Sequence, residues 1–253
     1  MARIIAITNQ KGGVGKTTTA VSLATGLNLK GYKTLLIDND PQCNSTDTYR
    51  AVVEETPTLH DLLFENEKAI DCIQHTEIGD IIPCDPLMQQ AEQRFPNDNS
   101  RSFILREKCA ELNELYDFII IDTPPTMGVI LSNVLTFANE IIIPVTCDRY
   151  GLAGMELLQQ TIASAKRYTN PNLNITGMVL IKYSDRLNIC KEISEGLPRV
   201  AEKMKTKVFN SYIRESVSCR ESQSAKQSIF DYAPKSTTAI DYMNLCNEVV
   251  KGE

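Results

Sequence analysis

The sequence lacks the cysteine and histidine patterns that are typical of metal and redox sites. It has two histidines, and its eight cysteines are scattered singly with no C-x-x-C pair. Zinc sites and dithiol redox motifs usually place their ligands in such pairs, so the spacing argues against both kinds of site. We therefore expect reduced and mostly buried thiols, as in a cytosolic protein.

Long apolar runs are also missing. The N-terminus has one arginine and the four-residue run IIAI before polar residues begin, which is far too short for a signal peptide or a membrane span. No internal repeat, low-complexity tract or long linker divides the chain. We expect a cytoplasmic protein with a single domain over residues 1–253.

Basic residues are fewer than acidic ones, which by itself disfavours a nucleic-acid ligand. The net charge is −6, yet residues 182–235 contain eleven Lys and Arg against seven Asp and Glu. This stretch, called the basic segment below, is therefore +4, and the rest of the chain is −10. Charge patterning alone leaves two interpretations open, a solvated face or a surface that binds nucleic acid.

Apolar runs of strand length alternate with segments of helical spacing. The runs are RIIAIT, KTLLID, DFIIID, EIIIPV and ITGMVLI, and runs that are apolar on both faces are typical of buried parallel strands. Helical faces are predicted for two segments (Ala20, Leu23, Ala24 and Leu27 before a stop at Gly31; Ile240, Met243, Cys246 and Val250 within residues 236–251). The alternation predicts an α/β fold with a doubly wound, mostly parallel sheet flanked by helices.

The segment NQKGGVGKTT, residues 9–18, ends like a phosphate-binding loop. The pattern G-x-x-x-x-G-K-[ST] is met at its end, but Gln10 replaces its first glycine and an additional lysine, Lys11, follows. Because a glycine-rich turn into a helix directs N–H groups at one point, we expect phosphate there. Lys16 is expected to neutralise the β- and γ-phosphates, and Thr17 to ligate Mg²⁺. The predicted nucleotide-binding residues are Lys11, Gly12, Gly13, Val14, Gly15, Lys16, Thr17 and Thr18.

Three aspartates follow two of the apolar runs. FIIIDTPP supplies Asp122, a candidate Walker B acid that holds Mg²⁺ or its water, and LLIDNDPQCNST supplies Asp38 and Asp40. Because parallel strands end at one edge of the sheet, all three carboxylates can face the nucleotide. Either Asp38 or Asp40 can orient the attacking water, and a turn-forming role before proline is the alternative for each.

These motifs together resemble the ParA/Soj partition ATPases, members of the deviant Walker A group that includes MinD and the nitrogenase iron protein. The C-terminal IFDYAPKSTTAIDYMNL is also similar to that family. The resemblance implies a slow, Mg²⁺-dependent ATPase that forms a homodimer around ATP, with Lys11 reaching the partner's phosphates. It implies three catalytic residues (Lys11, Lys16 and Asp40, the last orienting water) and three that serve the metal (Thr17, Asp122 and, in a supporting role, Asp38).

The resemblance further implies non-specific DNA binding in the ATP state, with nucleoid association, and a ParB-like centromere-binding partner that stimulates hydrolysis. Arg186 occupies the position of one family DNA-binding arginine. Ser218 occupies the position of the second, so the nearby Arg214 and Arg220 are candidates to replace it. Lys205 and Lys207 complete the predicted DNA-binding set.

Other branches of the group match less well. No cysteine has the glycine-rich flanks of the nitrogenase branch, and the last helix has one cation near its end, Lys251, so stable membrane association is not expected. Because the loop motif starts at residue 9, we expect no N-terminal helix-turn-helix domain. A positioning ATPase for a non-DNA cargo and, more distantly, a MinD-like membrane regulator remain alternatives.

Overall fold

A mostly parallel sheet forms the centre of the molecule. The computed structural model describes residues 1–148 and 154–252, and within them the sheet has eight strands in the order β3-β4-β2-β5-β1-β6-β7-β8. All neighbours are parallel except β3 and β4. The strands are β1 (Arg3–Ile7), β2 (Thr34–Asp38), β3 (Gln74–His75), β4 (Asp80–Ile82), β5 (Phe118–Asp122), β6 (Glu140–Thr146), β7 (Asn174–Tyr183) and β8 (Ile213–Arg214).

Helices cover both faces of the sheet, which confirms the predicted α/β fold. In the described residues they are α1 (Lys16–Leu29), α2 (Asn44–Thr48), α3 (Leu59–Phe64), α4 (Ala91–Arg94), α5 (Ile104–Lys108), α6 (Val129–Phe137), α7 (Met155–Tyr168), α8 (Asn188–Lys203), α9 (Val217–Ser224), α10 (Ile229–Tyr232) and α11 (Thr237–Lys251). Short 3₁₀ turns cover Ala69–Cys72, Pro86–Gln90, Asn99–Ser102 and Ala110–Glu114.

The central strands are apolar on both faces because each face meets a different helical layer. In β1, Ile5 and Ile7 pack into one cluster with α1 and α11, whereas Ile4 and Ala6 join a second cluster with α6, α7 and α8. The five strands predicted from apolar runs correspond to β1, β2, β5, β6 and β7. This double burial explains why continuous apolar runs, rather than alternating ones, predicted them.

The two helices predicted from spacing are present, and the predicted face of α11 was wrong only in part. The four apolar residues predicted for α1 are all buried. In α11 Cys246 is fully buried and Met243 and Val250 pack against the core, as predicted, whereas Ile240 is 50% exposed and the buried face also contains Tyr242, Leu245 and Val249. The face is rotated because α11 packs against α1 through Tyr242, whose hydroxyl lies 3.3 Å from that of Thr19. The apolar side of α11 is therefore core packing.

The cysteines behave as the sequence predicted. All eight are free, six are buried, and Cys43 and Cys219 are partly exposed. In residues 1–148 and 154–252 no helix is long and apolar enough to cross a membrane.

Candidate nucleotide site

The strand register brings the predicted loop and the predicted acids to one edge of the sheet. Asp122, the last residue of β5, is paired with Ile7 on one side and with Asp38 on the other. The phosphate-binding loop leaves β1 directly after Ile7. Residues that are more than 80 positions apart in the sequence therefore meet at the carboxyl ends of three neighbouring strands, where α/β sheets bind ligands.

The loop has backbone angles that require glycine at two positions. Gly13 has φ 70° and Gly15 has φ 80°, both in the left-handed region, which glycine adopts without strain. A Cβ on Gly15 would also lie 3.3 Å from a methyl group of Ile181. Val14 lies between them with its side chain fully buried, so only its backbone faces the loop. This geometry leaves N–H groups at the start of α1 open to an anion.

Lys16, the first residue of α1, lies inside the loop with 6% of its surface exposed. Its ammonium donates a hydrogen bond to the Lys11 carbonyl at 3.2 Å. Burial lowers the pKa of Lys16, and the carboxylates of Asp122 and Asp40 partly oppose that shift. A buried cation with few partners is stabilised by an anionic ligand, which suits the predicted phosphate contact.

Asp38 and Asp122 are both fully buried at the ends of β2 and β5, and α2 provides hydrogen-bond donors to each of them. The backbone N–H and hydroxyl of Thr46 donate to Asp38 Oδ2 at 2.8 and 2.7 Å. The Ser45 hydroxyl donates to Asp122 Oδ2 at 2.9 Å. Ser45 and Thr46 were not predicted as site residues, although both lie in the quoted segment LLIDNDPQCNST.

One oxygen of Asp122 has no partner. Its Oδ1 is buried and accepts no hydrogen bond, and burial together with the neighbouring Asp38 raises the pKa of Asp122 to about 8. Burial likewise raises the pKa of Asp38 to about 6. No cluster of three His, Cys, Asp or Glu in the described chain forms a metal site by itself. An unpartnered carboxylate oxygen below a phosphate loop nevertheless fits Mg²⁺, which takes one or two carboxylates plus phosphates and water.

Without ligands, the free energy of unfolding should fall as the pH rises from about 4 to about 8. Since burial raises the pKa of Asp122 to about 8 from the ordinary 3.8, the folded state holds a proton that the unfolded chain has lost. Stability falls with pH wherever the folded state binds more protons, by at most about 1.4 kcal/mol per pH unit for one group.

Asp122→Asn should reduce this slope, as measured by denaturant unfolding between pH 4.5 and 8, and above about pH 6 most of the slope should disappear because the raised pKa of Asp38 contributes only below that pH. The matched control is Glu114→Gln at an exposed carboxylate, which should leave the slope unchanged. Parallel curves for wild type and Asp122→Asn would show that Asp122 ionises normally.

Asp40 lies in a turn at the mouth of the site. Its backbone N–H donates to Asp38 Oδ1 at 3.2 Å, and its own Oδ1 accepts the N–H of Gln42 at 3.0 Å. Asp40 and Gln42 both line a cavity of about 670 Å³ that also contains Lys16, Thr17 and Thr18. Asp40 therefore lies close enough to the loop to interact with the charge of Lys16, at the side where α2 begins.

Lys11 does not line that cavity. Its ammonium donates to the Thr146 hydroxyl at 3.0 Å and forms an ion pair with Asp148 at 2.5 Å. Thr146 is the last residue of β6, and Asp148 lies two residues after it. Strand β6 borders β1 on the side opposite to β5, the strand that carries Asp122. The ammonium of Lys11 and that of Lys16 are thus held by different groups, although the two residues are five positions apart.

The cavity has further walls that the sequence did not identify. Lys182 donates to the Gly13 carbonyl at 3.0 Å, and Gln223 donates to the Thr18 hydroxyl at 2.5 Å. Residues 213–216 and 219–220 complete the opposite wall. The cavity is large enough for a nucleotide. No local sequence motif marks this wall, because its residues contact the loop across about 170 to 205 positions of sequence.

The predicted DNA-binding residues fall into two groups. Arg186, after β7, and Arg220, on α9, are exposed at the nucleotide edge. Arg214 is at the same edge but forms a two-point ion pair with Asp241 at 2.5 and 2.9 Å. Its guanidinium is therefore largely occupied.

Lys205 and Lys207 lie away from the nucleotide edge, beside the first half of β7. The Lys207 carbonyl accepts the N–H of Met178, and Thr206 bonds to Ile175 near the start of β7. At about 3.3 Å per residue, these points lie about 16 to 26 Å from the end of β7. The basic segment is therefore not one continuous patch.

Comparison with known proteins identifies the family. Residues 2–175 match the AAA_31 family, described as an AAA domain. The chain is 36% identical over 254 residues to the sporulation initiation inhibitor protein Soj of Bacillus subtilis, covering 98% of each chain. It is 35% identical to the chromosome partitioning protein ParA of Myxococcus xanthus, covering 99% of this chain and 89% of that protein.

A solved structure agrees with the fold. Cobyrinic acid a,c-diamide synthase from Mycobacterium smegmatis, with bound ADP and magnesium, superposes with a TM-score of 0.85 at 28% identity, covering 99% of this chain and 95% of that one. That protein is named as a synthase, unlike the two sequence relatives, so the fold alone does not decide the reaction. The family match and the relatives over nearly the whole length show that the chain belongs to the AAA_31 family, among the ParA/Soj-type partition ATPases.

Proposed function

We propose that the chain is an ATP-hydrolysing switch that segregates DNA. The observation that carries the proposal is that Lys16 and Asp40 line one cavity of about 670 Å³, while Asp38 and Asp122 end the two neighbouring strands beside its loop. The chain is also similar to Soj and ParA over nearly its whole length. We infer one ATPase domain over residues 1–253 and a cytoplasmic location. Hydrolysis would reset the ATP-bound state when a ParB-like centromere-binding protein stimulates it.

The phosphate side of the site follows from its charges. Lys16 neutralises the β- and γ-phosphate oxygens, and the loop N–H groups at the head of α1 hold the rest. Thr17 and Asp122 would hold Mg²⁺, since Asp122 Oδ1 is buried without a partner and hydrogen bonding from Thr17 lowers the pKa of the same carboxyl. The ion would supply charge neutralisation between the β- and γ-phosphates. Asp38, held by Thr46, lies beside Asp122 on the neighbouring strand and would support the metal shell from there.

Asp40 is the residue we assign to the attacking water. It lines the cavity, and the hydrogen bonds that fix its turn use its backbone N–H and one carboxylate oxygen, Oδ1. A carboxylate held at this point accepts a hydrogen bond from water and aligns the water with the γ-phosphate. The entropy cost of orienting the water is then met before the reaction, which lowers the barrier.

Lys11 is assigned to the phosphates of a second subunit. Within its own chain the ammonium pairs with Thr146 and Asp148, while Lys16 already serves the loop. A lysine donated across a two-fold axis makes dimerisation depend on the γ-phosphate, since the charge-assisted hydrogen bond exists only when ATP is present. ATP would then hold the homodimer together.

DNA binding is proposed for the ATP-dimer through the nucleotide edge. Arg186 and Arg220 are exposed there, and dimerisation brings two copies of the edge together. Lysine and arginine contacts to phosphates release counterions, so binding should ignore sequence and weaken steeply with salt. The resulting association with the nucleoid would depend on ATP.

Arg186→Glu should abolish ATP-dependent retardation of DNA, because it replaces an exposed cation at this edge with an anion. Lys205→Glu is the matched control: it makes the same charge change near the other end of β7 and should have little effect. The measurement is a gel-shift titration with ATP at low salt, with a fluorescent ATP analogue confirming nucleotide binding. If Arg186→Glu retards DNA as well as wild type, the nucleotide edge is only a solvated surface. A non-DNA cargo would then be favoured.

A further inference from the structure

Two thiols lie next to each other beside the turn that carries Asp40. Cys84 follows β4, is fully buried, and donates its backbone N–H to the Thr46 hydroxyl of α2 at 2.8 Å. Cys43, partly exposed, is the residue immediately before α2. A hydrogen bond with the Cys43 thiol, together with burial, raises the pKa of the Cys84 thiol. Cys43 packs against the apolar cluster that contains Cys84, and the end of β4 is hydrogen-bonded to α2, so the fold places one accessible and one buried sulfur side by side.

The backbone of Cys43 is in an unusual conformation. Its φ of 55° and ψ of 28° are left-handed, a region that glycine occupies freely and a residue with a Cβ occupies at a cost. Strained positions near a site are candidates for a functional side chain. A glycine would adopt these backbone angles without strain, so the turn itself does not require a cysteine. We therefore look to the sulfur for a function.

The other cysteines lack this combination. Cys147 and Cys190 also interact through their thiols, but they are 7% and 0% exposed. Cys219 is partly exposed on α9, and in the part of the chain that the structure describes its thiol has charged rather than thiol neighbours. Oxidation-sensitive cysteines are accessible to the oxidant, and many lie next to a second thiol that resolves the product. Cys43 with Cys84 meets both conditions.

We propose that Cys43 and Cys84 form a reversible disulfide when the protein meets a peroxide. The Cys43 sulfur attacks hydrogen peroxide, which breaks the O–O bond and gives a sulfenic acid and one water. The Cys84 sulfur then displaces the hydroxyl group of that sulfenic acid, which leaves as a second water, and the S–S bond forms. Two thiols lose two electrons, and the peroxide gains them. A dithiol reductant reverses the step.

The disulfide would displace the turn that carries Asp40. The Cys43 N–H donates to the Asp40 carbonyl at 2.8 Å, and the Cys43 thiol contacts the Pro41 carbonyl at 3.5 Å. Bonding the sulfur to Cys84 breaks the thiol contact to Pro41 and pulls the turn toward β4. Oxidation should therefore slow ATP turnover by about tenfold to a hundredfold. A loss of this size is expected when a catalytic side chain is displaced by up to about 1 Å from the reacting atoms. This effect rests on the proposed role of Asp40, whereas disulfide formation does not.

Peptide mapping tests the bond directly. The folded full-length chain is treated with hydrogen peroxide, alkylated, digested without reductant and analysed by mass spectrometry. We expect a linked peptide pair that contains Cys43 and Cys84 and disappears with dithiothreitol. Cys219 reports that the oxidant reached the protein. If Cys219 is oxidised while Cys43 and Cys84 remain unlinked, the proposal is wrong.

Turnover tests the consequence. Wild type should lose ATPase activity on oxidation and regain it with dithiothreitol, while Cys43→Gly and Cys84→Ser should keep their activity under peroxide. Glycine is chosen because it accepts the backbone angles of Cys43, so this variant should fold at least as well as wild type. Cys219 lines the nucleotide cavity, so its own oxidation would also affect turnover. Cys219→Ser separates the two effects: it should remain sensitive to peroxide, and Cys43→Gly and Cys84→Ser are measured in this background. A mapped disulfide with unchanged turnover would overturn the regulatory effect and leave the ATPase assignment intact.

Discussion

Mixing Lys11→Ala with Asp40→Ala should restore an ATPase activity that neither variant has alone. Lys11→Ala keeps Lys16 and should bind ATP but stay monomeric, and Asp40→Ala should dimerise without turnover. In a heterodimer the Lys11→Ala subunit keeps its own Asp40 and receives Lys11 from its partner. One of the two sites is then complete, so activity per heterodimer should approach about half that of wild type if the sites work independently.

The structure makes this test sharp because the two changes touch different groups. The Lys11 ammonium contacts Thr146 and Asp148, whereas Asp40 contacts Asp38 and Gln42. Neither substitution removes a ligand of the other. The effects should therefore be separable between subunits, as expected for distant sites without shared partners.

The matched control mixes Lys11→Ala with the double variant Lys11→Ala/Asp40→Ala. No subunit then supplies Lys11, so activity should stay absent at every mixing ratio. Differently tagged subunits and a pull-down with ATP measure heterodimer formation. An inactive mixture of Lys11→Ala and Asp40→Ala that does contain heterodimers would mean that Lys11 serves its own nucleotide.

The five longer strands could be predicted from the sequence, whereas the three short strands could not. β1, β2, β5, β6 and β7 are buried on both faces and leave continuous apolar runs. β3, β4 and β8 have two or three residues each, which is too short for a periodic signal. Their positions depend on pairing with β4, β2 and β7 respectively. Such pairing is a tertiary property.

The phosphate loop and its acids were also predictable, because motif spacing and strand ends reflect local geometry. The groups that hold them were not. Asp148 binds Lys11 from 137 positions away, and Ser45 binds Asp122 from 77 positions away. The charge of the basic segment could not locate a binding surface for a related reason. Net charge along a sequence does not say which cations share a surface, and Arg214 is paired while Lys205 lies far from Arg186.

Asp40→Ala should bind ATP as tightly as wild type but hydrolyse it about 10² to 10⁴ times more slowly, the range by which a positioned side chain that handles a proton accelerates a reaction. The phosphate cradle of Lys16 and Thr17 is untouched, so affinity should not change. The trapped ATP state should also retain DNA longer. Single-turnover hydrolysis and nucleotide titration measure the two quantities separately, and an equal loss of ATP affinity would contradict the assignment.

Asp40→Asn separates the chemical role of Asp40 from its role in the turn. The Oδ1 atom of Asp40 accepts the N–H of Gln42 at 3.0 Å, and an asparagine carbonyl can accept the same bond, so this variant keeps the turn and removes the charge. If the carboxylate orients water, Asp40→Asn should be nearly as slow as Asp40→Ala, since an amide is a weaker acceptor. If Asp40 only shapes the turn before proline, Asp40→Asn should hydrolyse ATP at close to the wild-type rate, and the water would have to be held by another group in the cavity.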